Sequence, residues 1–570
     1  MFRENYRHEQ GNFFNTVGQL PRGVKKMMDK SWAPGFRELV FKKIDERRYA
    51  ELYSDVDSRP NFPVNVWVGL EVIKGMFDYT DAELLEQFHF NLLAAYALGL
   101  ENLGEVTLSE RTLYYNRKRL LEYEAQTGRN LLEEEFQAMT ENTLEELGLN
   151  AKTQRMDSSF VGSFIKQMSR LELIVKVLQN FYRDLDGKEQ ARWNPLVKEY
   201  VETEARHIAY YLKSAEVGDY LQKVGALLFE LDQTYAGDEQ INALKSYGHI
   251  GRVLLEQFNL VGGGKGIQVE VKPSREISAR SLQNPADDTA TCRTKDGRIY
   301  KGDMFNVAET CAPENKVQLL TDVCVEQNVV SDDDFLAERL RGIKERTGVE
   351  EMVTDANYTG EHSEKICQEE TVAIIPTEVK GRKERADKLS LRDFHFDGRS
   401  TIASCPESCS PIEQIHKPAS GRHVVRFAKA ICGACPRANE CPARCRKHFY
   451  SLSFTDRQAL LAQRRQQLSQ EDYRSKCRLR PAIEGTISQF KQKMRNGKLR
   501  IRGLSRIRNS IILMAIGINF GRVWAYLMET NPGIALFSAV VVMLAFVLAI
   551  MLTRQPAYSD LKCCGTTISR

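Results

Sequence analysis

The chain has 570 residues (65.1 kDa), of which 42% are hydrophobic and 27% charged, so it has ample apolar content for large cores and is neither wholly disordered nor fibrous. A mean hydropathy of −0.41 excludes a polytopic membrane protein, and 80 Lys and Arg against 76 Asp and Glu leave a net charge of only +4. The length corresponds to about three or four compact units.

Residues 1–150 read as a helical N-terminal domain. Val64–Phe77 carries apolar residues at helical spacing, and Thr80 stands three residues before Glu83, a capping-box pattern that opens a new helix. A further helix start at Leu108-Ser-Glu leads into a basic, Tyr-bearing stretch. Such helices fit a DNA-binding domain and equally an ordinary helical packing domain. At Thr153–Phe164 the helical stripe stops, and a short strand containing Asp157 is predicted. Residues of about 166–260 return to helical spacing, with Leu171, Ile174, Val175, Leu178 and Phe181 as one stripe, and Gly262-Gly-Gly ends that insertion. Strand-like runs follow at Arg298-Ile-Tyr, at Met304-Phe-Asn-Val-Ala and at Lys316-Val-Gln-Leu-Leu. A helix is predicted over about Asp332–Arg346, then buried strands at Glu351–Asp355 and Val372–Pro376.

Residues 381–475 are polar and cysteine-rich, without a sustained apolar period, and read as an insertion. Pro481 starts a helix with the stripe Ile483, Ile487, Phe490 and Met494. Another helix covers about Ser510–Met528, and 531–570 form a hydrophobic tail. Strands interleaved with helices make the fold class α/β, with a mixed-sheet core spanning 151–380 and 476–530.

Charge is concentrated. Residues 476–508 hold eleven basic residues and a single acid, Glu484, so a polyanion contact is local to this window. Three carboxylates stand out by context: Asp157 in a strand, Asp355 at the end of an apolar strand, and Glu484 in a helical first turn. Acids at strand ends and on an adjacent helix can converge, and hard oxygen ligands suit Mg²⁺ or Mn²⁺. Two such ions about 3.5–4 Å apart would activate a water or hydroxyl at a phosphodiester. The plainer reading makes Asp355 a turn residue and Glu484 a helix-dipole partner.

Met156-Asp157-Ser158-Ser159, Thr354-Asp355-Ala356-Asn357-Tyr358 and Arg480-Pro-Ala-Ile-Glu484 resemble the three acidic motifs of DDE transposases of bacterial insertion sequences. The resemblance covers roughly residues 40–528 and includes Thr291–Asp322. It implies a ribonuclease-H-like core, Asp157, Asp355 and Glu484 as catalytic ligands of Mg²⁺ or Mn²⁺, and metal-dependent cleavage of element ends followed by strand transfer. The family's last motif is often Tyr-x2-Arg-x3-Glu-x6-Lys. Arg480, Glu484 and Lys491 keep that spacing, whereas Cys477 occupies the Tyr position and a Tyr stands at Tyr473. Double-stranded DNA (terminal repeats and target) is the implied partner, with a homodimer or larger assembly on it. Arg480, Lys491, Lys493, Arg495, Lys498, Arg500 and Arg502 are the expected phosphate contacts. The alternative is a non-catalytic DNA-binding or membrane-tethered protein that keeps the transposase fold.

The N-terminus shows no apolar signal core, so cytoplasm, with nucleoid association, is the expected compartment, and clustered cysteines there favour metal over disulfides. Six of the thirteen cysteines fall between Cys405 and Cys445. Cys432, Cys435, Cys441 and Cys445 are the tightest set for a structural Zn²⁺, with Cys405 and Cys409 as alternates for one pair. Unpaired thiols in a surface insertion are the bland alternative, and His416, His423 and His448 read as solvated loop residues. Ile534–Leu552 is nineteen residues without a charge, long enough for a bilayer core. It is a C-terminal anchor, a buried or oligomer-forming helix, or a non-native extension.

Overall fold

The computed structural model describes residues 1–530 apart from 11–14, 55, 57–58, 264–265, 382–384 and 386; the hydrophobic run Ile534–Leu552 lies outside the described residues. The N-terminal part is helical. Helix α1 (Val64–Phe77) is apolar around its whole circumference and is buried accordingly. Helix α2 (Asp81–Phe90) begins at a reciprocal capping box: the Thr80 hydroxyl accepts the Glu83 N–H at 3.2 Å, and the Glu83 carboxylate accepts the Thr80 N–H at 2.7 Å. Helices α3 (Glu110–Thr127) and α4 (Leu131–Glu146) follow, N-capped by Ser109 and Asn130.

Besides Thr291–Lys295, its sixth member, five strands form the central sheet: β1 (Thr153–Gly162), β2 (Arg298–Thr310), β3 (Leu320–Gln327), β4 (Glu351–Thr354) and β5 (Ala373–Pro376). Their spatial order is β3-β2-β1-β4-β5. In this order β2 runs antiparallel to both of its neighbours, β3 and β1, and β4 and β5 run parallel to β1. Helices α5 (Asp332–Thr347) and α6 (Glu361–Glu369) supply the crossovers that parallel strands need. Between β1 and β2 lies a block of helices from Arg170 to Gln257, closed by a hairpin of Phe258–Gly263 with Gly266–Val271, and it has its own apolar cluster.

The sequence predicts two separate strand runs around residue 300; the chain instead makes one thirteen-residue strand, β2. Gly302 adopts φ +140°, a backbone region that side chains rarely tolerate. At this point β2 changes partner. Residues 298–302 pair with the short strand Thr291–Lys295, across a turn at Asp296-Gly297 with positive φ at both residues, and residues 303–309 pair with β3. A glycine that looks like a break is the joint between two pairings. Similarly, the run predicted at Lys316–Leu320 is loop up to Leu319, and pairing starts at Leu320.

Side chains of the sheet alternate between its two faces. Phe305 and Val307 join one core with α1, with α7 (Ile483–Gln492) and with α8 (Leu504–Thr530); Met156 and Ala308 join another with α5 and Tyr358. Helix α8 is long and apolar enough by length and composition to cross a membrane. In the fold, 61% of its most apolar window is buried, packed on α1, α4 and β3.

The cysteine-rich segment is more ordered than its composition predicts. It forms a four-stranded antiparallel sheet of Glu413–Lys417, Arg422–Ala428, Phe449–Thr455 and Arg444–Cys445, followed by the helix Asp456–Gln467. Phe394, Ile402, Val425, Phe427, Leu452 and Phe454 form its small core. Inward positions alternate over runs of only two residues per strand, too short to register as a period.

One buried acid has no counterpart in this packing. Asp303 is 1% exposed, neither carboxylate oxygen has a hydrogen-bond partner, and burial beside Asp287 and Glu326 pushes its pKa up to about 8. Between the unfolded value near 3.9 and that raised value the folded chain holds a proton the unfolded chain has lost, so stability falls as pH rises through this window. Asp303→Asn should therefore be close to neutral at acidic pH and stabilise by about 5 kcal/mol at alkaline pH. Urea midpoints at the two ends of the window measure this, and an equal change at both would show that the residue is not held protonated.

Candidate active site

The first two acids are placed by strand register. Thr153 pairs with Glu351 and Arg155 with Val353 in the parallel β1–β4 ladder. Two residues further along the same register, Asp157 falls beside Asp355, and residues level with each other in a parallel pair share a face. Asp355 is the first residue after β4. Its carboxylate accepts the Asn357 N–H at 2.7 Å and the Asn357 side-chain amide at 3.1 Å, fixing the turn. Asp157 is 13% exposed, and burial pushes its pKa up to about 6; Arg480 and the Ser158 N–H oppose this, and Asp355 and Asp332 add to it.

The third acid comes from another part of the chain. Glu484 is the second residue of α7 and is 68% exposed. Arg480, in the 3-10 turn before α7, joins it to the first: one guanidinium nitrogen lies 2.9 Å from Asp157 Oδ2, the other 3.5 Å from Glu484 Oε1. Among the described residues, ligand atoms within 4.8 Å of one another occur in threes only as His416, His423 and Asp456, and as Asp333, Asp334 and His362. Glu484 is thus linked to Asp157 through a cation, not closed directly onto it.

A buried ion network sets the position of α7. Glu309 on β2 is fully buried; it accepts from Arg155 Nε of β1 at 2.7 Å, from Thr486 Oγ1 of α7 at 2.7 Å and from Arg522 of α8 at 2.8 Å. Arg155 also donates to the Leu479 carbonyl at 2.6 Å, immediately before Arg480. Two strands and two helices therefore converge on one carboxylate. Nothing in the local sequence around Glu309 marks it for this role, because its partners lie more than 150 residues away.

A fourth acid, Asp332, also escapes sequence reasoning. It is 8% exposed and accepts the Ser158 hydroxyl at 2.6 Å, next to Asp157. Burial raises its pKa, the Ser158 hydrogen bond opposes this, and Asp355 raises it further. In the sequence it is the first of three aspartates opening a helix, a pattern that the helix dipole explains by itself. Beneath the acids, Tyr358 is fully buried and its hydroxyl accepts from Asn306 Nδ2 at 2.7 Å.

The basic window divides into two groups. Lys491, Lys493 and Lys498 turn inward: their ammonium groups donate to the backbone carbonyls of Phe160, of Gly75 and Met76, and of Ile165. Lys498 follows a close approach of the chain to the end of β1, where Gly162 N–H bonds Gly497 O at 2.8 Å and a Cβ on Gly162 would meet Lys498 at 2.7 Å. Arg495, Arg500, Arg502 and Arg506 are exposed. Arg500 pairs with Asp78 at 3.2 Å; Arg495, Arg502 and Arg506 make no side-chain hydrogen bond or ion pair among the described residues. Tyr473 and Cys477 pack at the end of β5, near the Pro376 carbonyl, not on the acids.

Residues 404–524 match the family model of a transposase DDE domain. No curated protein and no solved structure matches the chain. The matched interval contains Arg480, Glu484 and the basic window and supports a DDE-type transposase, a class of enzyme that generally uses divalent metal ions. Asp157 and Asp355 lie outside the matched interval and enter the site through strand register.

Glu309→Leu would strand Arg155 and Arg522 as unpaired buried cations and should lower stability by about 3–5 kcal/mol. The exposed Arg385–Asp387 pair is a suitable control, its loss costing less than about 1 kcal/mol. Denaturant titration compares the two; a cost at Glu309 no larger than the control would remove it as the organising contact.

Proposed function

We propose that this chain is a DNA transposase of an insertion sequence, with a ribonuclease-H-like core that cuts the element ends and joins them to target DNA. The observation that carries the reading is the Asp157–Arg480–Glu484 bridge at the middle of β1, beside Asp355. The sheet order β3-β2-β1-β4-β5, with three antiparallel strands followed by two parallel ones, is the arrangement expected of such a core.

The donor set fits a hard divalent cation. Asp157, Asp355 and Glu484 are oxygen ligands, and Asp157 is disfavoured as an anion by burial and by its acidic neighbours, with Arg480 as the cation that bridges to Glu484. Asp157, Asp355 and Glu484 would hold Mg²⁺ or Mn²⁺, which supplies activation of the attacking oxygen and charge stabilisation at phosphorus. The chain itself orients these groups: the Asn357 amides fix Asp355, Ser158 and Arg480 fix Asp157, and the Glu309 network fixes the approach of α7. The reaction is hydrolysis of a phosphodiester, then attack of the freed 3′-hydroxyl on target DNA, each an in-line displacement. A guanidinium held between two carboxylates can fork onto a phosphate once the acids are engaged by metal.

Exposed Arg495, Arg502 and Arg506 supply phosphate contacts, alongside a cleft of about 620 Å³ between α1, α3 and the start of α8 whose lining includes Tyr114, Lys118 and Arg506. The protein would act in the cytoplasm on the nucleoid, as a homodimer or larger assembly on its DNA.

Cleavage of DNA carrying the element ends, with Mg²⁺ or Mn²⁺, tests the reading. Asp157→Asn, Asp355→Asn and Glu484→Gln should each lower the rate by at least about 10³-fold while DNA binding persists. Binding without cleavage by the unaltered protein would instead identify a non-catalytic DNA-binding protein with this fold. A second measurement concerns the arginines: replacing Arg495 and Arg502 by Gln should flatten the slope of log affinity against log salt by about 0.9 per lost phosphate contact. An unchanged slope would move the DNA path elsewhere.

A further inference from the structure

The cysteine-rich segment carries a feature that strand transfer does not use. A cavity of about 30 Å³ lies under its sheet, and four thiols line it: Cys405, Cys432, Cys435 and Cys441, with Phe394 and Phe427 among the other walls. The cysteines come from three separate turns. Cys405 opens a tight loop in which its N–H bonds the Cys409 carbonyl at 2.9 Å and Ser408 takes a left-handed φ of +60°. Cys432 lies in a one-turn helix, and the Cys435 N–H folds back on its carbonyl at 3.4 Å. Cys441 closes a turn on the Arg437 carbonyl at 3.1 Å.

The other two cysteines do not line the cavity, although the Cys409 thiol lies beside that of Cys405. Cys445 is exposed, and its sulfur faces the Arg446 carbonyl at 3.7 Å. Cys409 lies outside the cavity lining, with its sulfur 3.5 Å from the Glu407 carbonyl. All six thiols are free, so no disulfide accounts for the grouping.

We infer that Cys405, Cys432, Cys435 and Cys441 bind one structural Zn²⁺. The chemistry follows from the site. Four sulfurs around a space of atomic size, with apolar walls and no carboxylate among the lining groups other than Glu407, match a soft tetrahedral ion better than a hard one. Among the described residues no three of these sulfurs stand within 4.8 Å of one another, so the ion draws the three turns together, toward Zn–S distances of about 2.3 Å. Each binding event releases thiol protons to solvent, four if all four enter protonated, and involves no redox change. With four thiolates and no open position the ion is structural, holding a sheet whose own core is a handful of side chains. The inference is independent of the transposase reading. It also alters the ligand set that spacing alone favours, replacing Cys445 by Cys405.

The test uses the full chain purified under reducing conditions. Metal analysis should find one zinc per chain. Differential alkylation with mass mapping, which needs no variant, should show Cys405, Cys432, Cys435 and Cys441 protected about tenfold or more until a chelator is added, and Cys409 and Cys445 reactive throughout. C405S should lose the zinc and C445S should keep it. Absence of zinc, protection of Cys445 in place of Cys405, or zinc retained in C405S but lost in C445S would each overturn the assignment.

Discussion

The structure depends most on one buried carboxylate. Glu309 sits near the C-terminal end of β2 and meets Arg155, Thr486 and Arg522, so the sheet and both C-terminal helices are tied at a single point. A buried charge of this kind is costly to leave unpaired, and replacement by apolar groups often improves stability elsewhere in protein cores. Here its value is positional. Arg155 is two residues from Asp157, Thr486 is two residues from Glu484, and both bind the same carboxylate. The third acid, over 300 residues distant in sequence, is thereby fixed relative to the first.

The same contact explains why the site contains a cation. Arg155 holds the Leu479 carbonyl, and the next residue is Arg480. Its guanidinium is then delivered to the gap between Asp157 and Glu484. Beyond the effect of burial, Asp355 and Asp332 raise the pKa of Asp157, Asp355 raises that of Asp332, and the guanidinium opposes this at Asp157. The arginine serves as the internal counter-ion of Asp157 and Glu484.

Much of this was readable from the sequence, and the limits have physical causes. The strand around Asp157, the apolar strand before Asp355 and the Pro481 helix carry their own patterns, because each buries a continuous local run. The motifs at Asp157, Asp355 and Glu484 pointed to the same family as the match over 404–524. Long-range placement was not readable. Glu309 and Asp332 look like ordinary acids until the sheet closes, and lysines at 491, 493 and 498 look like a phosphate surface until their ammonium groups are seen on backbone carbonyls. The two runs on either side of Gly302 form one strand because that glycine takes a φ of +140° and brings no Cβ, which would meet the Val161 carbonyl oxygen at 2.7 Å. In the cysteine segment, spacing favoured Cys445 as the nearest partner, whereas the sheet turns that residue outward and brings Cys405 in from the preceding loop.

The central claim is that Asp157, Asp355 and Glu484 share one metal site. Iron(II) substituted for the native cation, with peroxide and ascorbate, generates hydroxyl radicals that cut the backbone within a few ångströms of the bound ion. The account predicts cuts clustered near residues 157, 355 and 484 in the protein bound to its DNA, all lost together in Asp157→Asn. Cuts confined to the Asp333–His362 or His416–Asp456 groups, or cuts near 157 and 355 that never extend to 484, would contradict it.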